Sequence, residues 1–150
     1  MTAFVTAGAG FLLAVLWMDL MFDVQALRQR AGHLPESVLA SISAYYARVT
    51  TDARPMNRLI AAVMLATLVA VIVEIADGDA PVWAGWTSLA LAGAAIGLAA
   101  VRTVPSAVRL GTRADPPAVQ SRLARSILRD HLVSFATIAG VLAIQLAAAN

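Results

Sequence analysis

Four long apolar stretches dominate the pattern of hydrophobic and polar positions along the chain. They cover residues 3–22, 56–76, 81–101 and 131–149. Each is about 20 residues long, which is the length that a helix needs to cross a hydrocarbon layer of ~30 Å. Helices are the expected spanning elements, because backbone polar groups must be satisfied inside lipid. The pattern predicts an all-α integral membrane protein in which residues 1–150 form a single domain, a bundle of four transmembrane helices.

Apolar side chains also recur at helical spacing between the first two stretches, from Pro35 to Thr51. Proline and an acidic residue suit the first turn of a helix. The spacing predicts an amphipathic cytoplasmic helix, which either covers the inner end of the bundle or rests on the lipid headgroups. Its predicted buried side consists of Val38, Leu39, Ile42, Tyr46 and Val49, and its other faces carry Glu36, Ser37, Ser41 and Ser43.

Arginine supplies all 11 basic side chains, and these lie in or beside the two long connecting segments, 24–55 and 102–130. The short acidic link at residues 77–81 and both ends of the chain have none. Basic loops stay on the cytoplasmic side of a membrane. Both segments are therefore predicted to be cytoplasmic loops, with both termini outside a cell membrane, most simply a bacterial inner membrane. The sequence pI of about 9.9 then indicates a lipid bilayer as partner rather than nucleic acid.

The composition excludes several kinds of site. The chain has no cysteine, which excludes disulfides and thiolate metal sites, and its 2 histidines are too few for a histidine-rich metal site. Charged residues make up 13% of the chain, against about 25% in an average soluble domain. No metal site is predicted, and the sequence identifies no cofactor.

Two carboxylates four residues apart, Asp19 and Asp23, end the first apolar stretch. A helix places them on one face, and glycine on that face suits close packing against the other helices. The flanking Met18 and Met21 are interpreted as packing residues, since soft sulfur and hard carboxylate do not suit one metal. The other members of the face are Val15, Leu12, Gly8, Ala26 and Arg30.

The acid pair has two interpretations. Two hard oxygen ligands on one face suit a cation or proton site. The alternative is pairing with an arginine at the same depth, for which Arg58, Arg102 and Arg129 are candidates. We favour pairing, because a charge well inside a membrane costs several kcal/mol. Asp19 is therefore predicted to be buried against Arg58 or Arg102.

The fourth stretch carries a polar stripe along one side of its predicted helix. Hydroxyl and amide groups inside a span bond across helices or to their own carbonyls, and a polar pocket is the alternative. Glu74 of the second stretch, aligned with Thr67, is expected to join them or to reach water at the outer boundary. His131 points about 100° away from the stripe and is interpreted as an interfacial residue rather than a ligand. The stripe consists of Ser126, Asp130, Ser134, Thr137 and Gln145.

Small residues are frequent in the third stretch, where Gly93 and Gly97 have the spacing that lets two helix backbones approach closely. This spacing is the argument in the sequence for a homo-oligomer or a membrane partner subunit.

Two short motifs carry a family resemblance: Ala53-Arg-Pro-Met-Asn-Arg58 and Arg102-Thr-Val-Pro-Ser-Ala-Val-Arg-Leu110. With the order of spans, amphipathic segment and short outer turn, they resemble the anthrone-oxygenase-like family of small four-helix membrane proteins, mostly of unknown function. Leu-Asn usually follows Val-Pro in that family, and a Trp/Asn/Arg cluster opens the fourth span. This chain has Ser106-Ala107 and Arg129-Asp-His131 instead. The resemblance implies an enzyme that acts on an apolar or aromatic substrate between the helices.

Two functions are therefore open. One is a non-enzymatic bundle that binds a partner subunit, a lipid or a small apolar ligand, or a small transporter. The alternative is a membrane-bound oxygenase-like enzyme, which would need a roomy pocket with a perturbed acid or base. No catalytic residue is identified. The candidate ligand-binding or polar-core residues are Asp19, Asp23, Asn57, Arg58, Arg102, Asp130, Ser134 and Thr137.

Overall fold

A computed structural model describes residues 1–28 and 32–149, and every regular element in these ranges is helical. Arg30, predicted to continue the face of Asp19 and Asp23, lies outside the described residues. The helices are α1 (Thr2–Asp23), α2 (Glu36–Ala47), α3 (Arg54–Asp77), α4 (Val82–Leu98), α5 (Val104–Gly111) and α6 (Pro117–Ala148).

Short turns of other helical types extend or join these helices. A 3₁₀ turn, Val24–Arg28, follows α1, and a π-helical turn, Arg48–Asp52, follows α2. A second π-helical turn, Ala99–Thr103, joins α4 to α5. The end of α3 is set by Gly78, whose φ of 70° is the left-handed conformation that closes many helices and that glycine adopts at little cost.

Within residues 1–28 and 32–149, 4 helices or continuous helical segments are long and apolar enough to cross a membrane. In the most apolar 18-residue stretch of each segment, only 17 to 28% of the residues are buried inside the protein. Most of the apolar surface of these segments therefore faces outward. These segments are Thr2–Leu27, Arg54–Asp77, Val82–Gly111 and Pro117–Ala148.

The segment predicted as a basic loop, 102–130, is mostly helical. Only residues 112–116 separate α5 from α6, and α6 runs without a break from Pro117 into the fourth apolar stretch. The expectation of one continuous helix from Ala118 onward is confirmed, and residues 112–116 form a loop, whereas residues 104–111 form α5 instead of the expected loop. α5 is compatible with proline because Pro105 lies in its first turn, where a missing N–H is tolerated, and its buried side carries Ala107 and Leu110.

The four long helices form a ring in which each packs against two neighbours. α1 contacts α3 and α6, and α4 contacts the same two helices. α1 approaches α3 closely at Gly8, where an added Cβ would lie 2.2 Å from Thr67 Oγ1. By contrast, a Cβ at Gly93 or Gly97 would meet no atom within 4 Å, so this glycine pair makes no close contact within the chain.

α2 and α5 pack together at the end of the ring where α1 ends and α3 begins. Four of the five positions predicted to be buried are confirmed, because Val38, Leu39, Ile42 and Tyr46 are no more than 7% exposed. Val49 is only partly buried and lies in the π-helical turn after α2. Ser43, expected on another face, is wrongly predicted and is 1% exposed. It lies one residue beyond Ile42, and the buried side is wider than expected because α5 and α6 both contact α2.

The interpretation of Met18 and Met21 as packing residues is wrong, because they are 50% and 57% exposed and lie outside the core, Met18 at the rim of the cavity described below. Glu74 was expected either to join the polar stripe of the fourth stretch or to reach water, and the first alternative is confirmed. Its side chain is 0% exposed, and it accepts hydrogen bonds from Thr2 Oγ1 at 2.7 Å and from Gln145 Nε2 at 2.9 Å. The hydrogen bonds offset the cost of burying this carboxyl group.

Candidate functional site

The two carboxylates at the end of α1 meet tyrosine and histidine side chains. Asp23 is fully buried; its Oδ1 accepts a hydrogen bond from Tyr46 Oη at 2.6 Å, and its Oδ2 lies 2.6 Å from His131 Nδ1. Asp19 Oδ1 accepts a hydrogen bond from Tyr45 Oη at 2.6 Å, and its Oδ2 lies 3.7 Å from His131 Nε2. The helical spacing of the acids lets one imidazole from α6 lie between both of them.

The predicted pairing of Asp19 with Arg58 or Arg102 is therefore wrong. Arg58 is exposed, and Arg102 instead forms an ion pair with Asp130 at 3.1 Å. The physical reason is that hydroxyl donors from α2 reach the acids from the end of the bundle. Hydrogen bonds to a carboxylate are about twice as strong as those between neutral groups.

Tyr45 and Tyr46 of α2 deliver these two donors from adjacent positions. Their rings meet edge to face with centroids 5.3 Å apart, and the Tyr45 ring stacks on Phe22 of α1 at 4.0 Å. Burial, followed by the negative charge of Asp19 and Asp23, raises the pKa of both tyrosine hydroxyls above the usual value of 10. Both hydroxyls therefore stay protonated at neutral pH and act as hydrogen-bond donors.

His131 is a buried member of this cluster, so its interpretation as an interfacial residue is wrong. Only 7% of the residue is exposed, although it lies at the start of the fourth apolar stretch. The contact between Nδ1 and Asp23 fixes the ring orientation. One imidazole serves two carboxylates, so the cluster either carries net negative charge or keeps a proton on one carboxyl group. Such an arrangement can hold, accept or release a proton.

A cavity of about 690 Å³ extends from this cluster between the long helices. Most of its wall is aliphatic, from side chains of α1, α3, α4 and α6, and Tyr45 and Tyr46 help to close one end. The polar side chains on its wall include Asp19, His131 and Ser134. A large apolar volume with a few polar groups at one end is typical of a small-molecule site.

The other predicted site residues have separate roles. Asn57 lines the cavity and donates a hydrogen bond from Nδ2 to Thr50 O at 2.8 Å, which holds the π-helical turn against the start of α3. Asp130 is 4% exposed and faces Arg102, which also donates to Ser126 Oγ at 2.9 Å. Asp130 and Arg102 thus form a pair apart from the cavity wall, and Arg58 belongs to neither group.

Thr137 is not part of the site. Its hydroxyl donates to the α6 carbonyl oxygens of Val133 and Ser134, at 3.1 and 3.0 Å. A hydrogen bond from a hydroxyl group to a carbonyl oxygen of its own helix was one of the two alternatives expected from the sequence. Ser134, in contrast, is 4% exposed and lines the cavity, so it stays a candidate.

Sequence reasoning missed His131, Tyr45 and Tyr46 as site residues, although it predicted Tyr46 to be buried. A usable signal existed, since Asp19, Asp23 and His131 all lie near the same predicted membrane boundary. The signal for Tyr45 was weaker: this residue adjoins Tyr46 on the helix that was expected to cover that boundary. Residue type alone could not show that the imidazole turns inward.

Among residues 1–28 and 32–149, no group of three or more histidine and acidic side chains is arranged to hold a metal ion. No protein-family model, curated protein or solved structure matches this chain. The resemblance to the anthrone-oxygenase-like family therefore stays a prediction.

Proposed function

We propose that this chain is a multi-pass membrane protein that binds a small, mainly apolar ligand between its helices, with one polar group of the ligand at Asp19 and His131. The observation that carries the proposal is the continuity of the cavity with the buried cluster. An apolar wall attracts the body of such a ligand, and an imidazole beside a carboxylate offers one hydrogen-bonding point at the end.

Exposed apolar surface supports the membrane setting. Phe4, Val82 and Val101 are 71%, 76% and 82% exposed on long apolar helices. Soluble proteins rarely expose apolar patches of more than a few hundred Å², and lipid removes the cost of such exposure.

The wall between α1 and α3 supports entry of the ligand from the lipid. These helices touch at Gly8 and Thr67, but the cavity separates them nearer the cluster. Met18 and Met56 line the cavity there and are also 50% and 49% exposed, so the cavity opens on the outer surface of the bundle. An apolar molecule dissolved in the bilayer would reach His131 by this side opening.

The arginine distribution supports an orientation in a cell membrane with both termini outside. In that orientation α2 lies on the cytoplasmic side, with its apolar face against the bundle and with Glu36 and Ser37 outward. The packing of α2 against α5 and its hydrogen bonds to Asp19 and Asp23 favour a cap over the resting of this helix on headgroups.

A second candidate function is enzymatic, and the contact between His131 and Asp23 favours it. A buried carboxylate on Nδ1 orients the ring and leaves Nε2 to take a proton from a ligand. This is the acid–base arrangement that the oxygenase-like resemblance would require. Dioxygen would be the oxidant, as in the conversion of anthrone and O₂ to anthraquinone and water.

Binding of 2-naphthol to the protein in lipid nanodiscs tests the proposal, with empty nanodiscs as the baseline for partitioning. We expect saturable binding of one molecule of 2-naphthol. Its affinity should be at least about tenfold higher than that of naphthalene, because a hydrogen bond to a charged group contributes ~1.5–3 kcal/mol. Ile60→Trp or Val15→Trp should abolish it, since both side chains line the cavity. The matched control is Ile72→Trp, because Ile72 lies on the same helix as Ile60 but its side chain is 52% exposed.

Equal binding by the lining and control variants, both with native helical content, would contradict the proposal. Oxygen uptake with anthrone in the same nanodiscs distinguishes the two candidates. An enzyme should consume O₂ and lose this activity in Asp23→Asn, whereas a binding protein should show no uptake above empty discs.

A further inference from the structure

A second concave site lies on the outside of the bundle, separate from the cavity. This groove has a volume of about 760 Å³ and is formed by the 3₁₀ turn after α1 together with α5 and α6. Four arginines line it, and no acidic side chain is among its lining residues. The rest of its wall is mainly aliphatic and includes Leu27 and Leu123.

Two of the four arginines are already engaged. Arg109 donates two hydrogen bonds of 2.8 Å to the carboxylate of Asp115, and Arg125 donates one to Gly32 O at 2.9 Å. Arg122 and Arg129 are exposed, and neither has an ion pair or hydrogen bond from its side chain among the described residues. The groove therefore presents two guanidinium groups for a ligand from outside the chain.

The two exposed arginines lie on one side of α6, seven residues and ~10 Å apart along the helix axis. Arg129 is two residues before His131, where the fourth apolar stretch begins. Leu27, which is 56% exposed, brings apolar surface to the same groove from the end of α1. The groove thus joins positive charge to an apolar surface at the level where a bilayer changes from headgroup to hydrocarbon.

We propose that this groove binds an anionic phospholipid, with its phosphate at Arg122 and Arg129 and an acyl chain along Leu27 and Leu123. Charge complementarity selects the headgroup, since a guanidinium group binds a phosphate group through two parallel N–H···O hydrogen bonds. The apolar wall selects a lipid over a free anion. This site needs the membrane setting but does not rest on the cavity ligand.

Native mass spectrometry of the detergent-solubilised protein tests the site by titration with phosphatidylglycerol or phosphatidylcholine. We expect the intact protein to bind one phosphatidylglycerol in preference to phosphatidylcholine. Arg122→Gln with Arg129→Gln should weaken that binding about 30-fold, or about fivefold per arginine. The matched control is Arg54→Gln with Arg58→Gln, which removes the same charge from exposed arginines at the start of α3.

Equal loss in the two double variants would overturn the proposal, because it would mean attraction by net charge only. Competition by inorganic phosphate or glycerol 3-phosphate at millimolar concentration would also overturn it, because the site would then bind a free anion. Leu123→Asp with all arginines retained should weaken phosphatidylglycerol binding, and unchanged binding there would rule out the acyl-chain contact.

Discussion

At the residue scale, each acid of the cluster has its own tyrosine donor and the two acids share one histidine. The hydrogen bonds of 2.6 Å from Tyr45 and Tyr46 satisfy one oxygen of Asp19 and of Asp23. This division leaves Asp19 and His131 on the cavity wall while Asp23 stays behind them. The arrangement holds the ring of His131 in place at the wall of the cavity.

The two tyrosines of the chain, Tyr45 and Tyr46, make this cluster directly measurable. Burial and the neighbouring acids raise the pKa of both hydroxyls, so the folded state holds their protons more tightly than the unfolded state. This contribution to stability is fully present below the unfolded tyrosine pKa of ~10 and is lost as pH rises above it. Phenolate absorbance at 295 nm should therefore be absent from the folded protein at pH 11 and appear only with unfolding.

Protein unfolded in denaturant supplies the control, since both tyrosines should then titrate near 10. A reversible titration near pH 10 with unchanged helical circular dichroism would show that the two hydroxyls are not buried against Asp19 and Asp23.

The sequence predicted where the charged groups lie but not which of them pair. Asp19 and Asp23 were placed correctly on the packed face, because helical periodicity fixes a face once the helix is given. Their partners come from α2 and α6, which are distant along the chain. Arginine seemed the natural partner on charge alone, but Arg102 pairs with Asp130, and Arg58 and Arg129 are exposed.

At the element scale, the position of α2 depends on a close contact with α5. A Cβ at Gly111 would lie 2.9 Å from the backbone nitrogen of Ala47 and 3.1 Å from its Cα, so the two helices could not keep their distance. Ala47 is the last residue of α2 and directly follows Tyr45 and Tyr46. The glycine thus sets the position from which both tyrosines reach the acids.

Gly111→Ala should therefore loosen α2. Overpacking of this kind costs about 1–3 kcal/mol, and hydrogen exchange of amides 36–50 should become faster while α6 keeps its protection. Gly97→Ala is the matched control, because a Cβ there meets nothing within 4 Å and alanine favours the helix. Similar exchange at 36–50 in both variants would mean that α2 is not held by α5.

The hydropathy pattern was sufficient to predict the four long helices but not the structure of the segments that connect them. Four apolar stretches predicted four long helices, because length and composition alone decide whether a helix can cross a membrane. The helix α5 within residues 102–130 was missed, since charge and three prolines made this part of the segment resemble a loop. Pro117 instead begins α6, where a missing N–H is tolerated.

At the scale of the whole molecule, the charges are distributed unevenly between the two ends of the bundle. The basic side chains gather at the end that holds α2, α5 and the arginine-lined groove, while Glu74, Asp77 and Asp79 lie near the other end. The cavity opening between α1 and α3 and the groove are therefore both nearer the basic end. If that end is cytoplasmic, both sites belong to the inner leaflet.

Cysteine labelling in intact bacterial cells tests this orientation, and the chain has no cysteine of its own to interfere. Residue 79 lies at the short link after α3 and residue 113 between α5 and α6, at opposite ends of the bundle. Asp79→Cys should react with a membrane-impermeant maleimide from outside, because the basic end is retained in the cytoplasm. Arg113→Cys should react only after the cells are opened. Labelling of position 113 but not of 79 in intact cells would reverse the topology and place both sites in the outer leaflet.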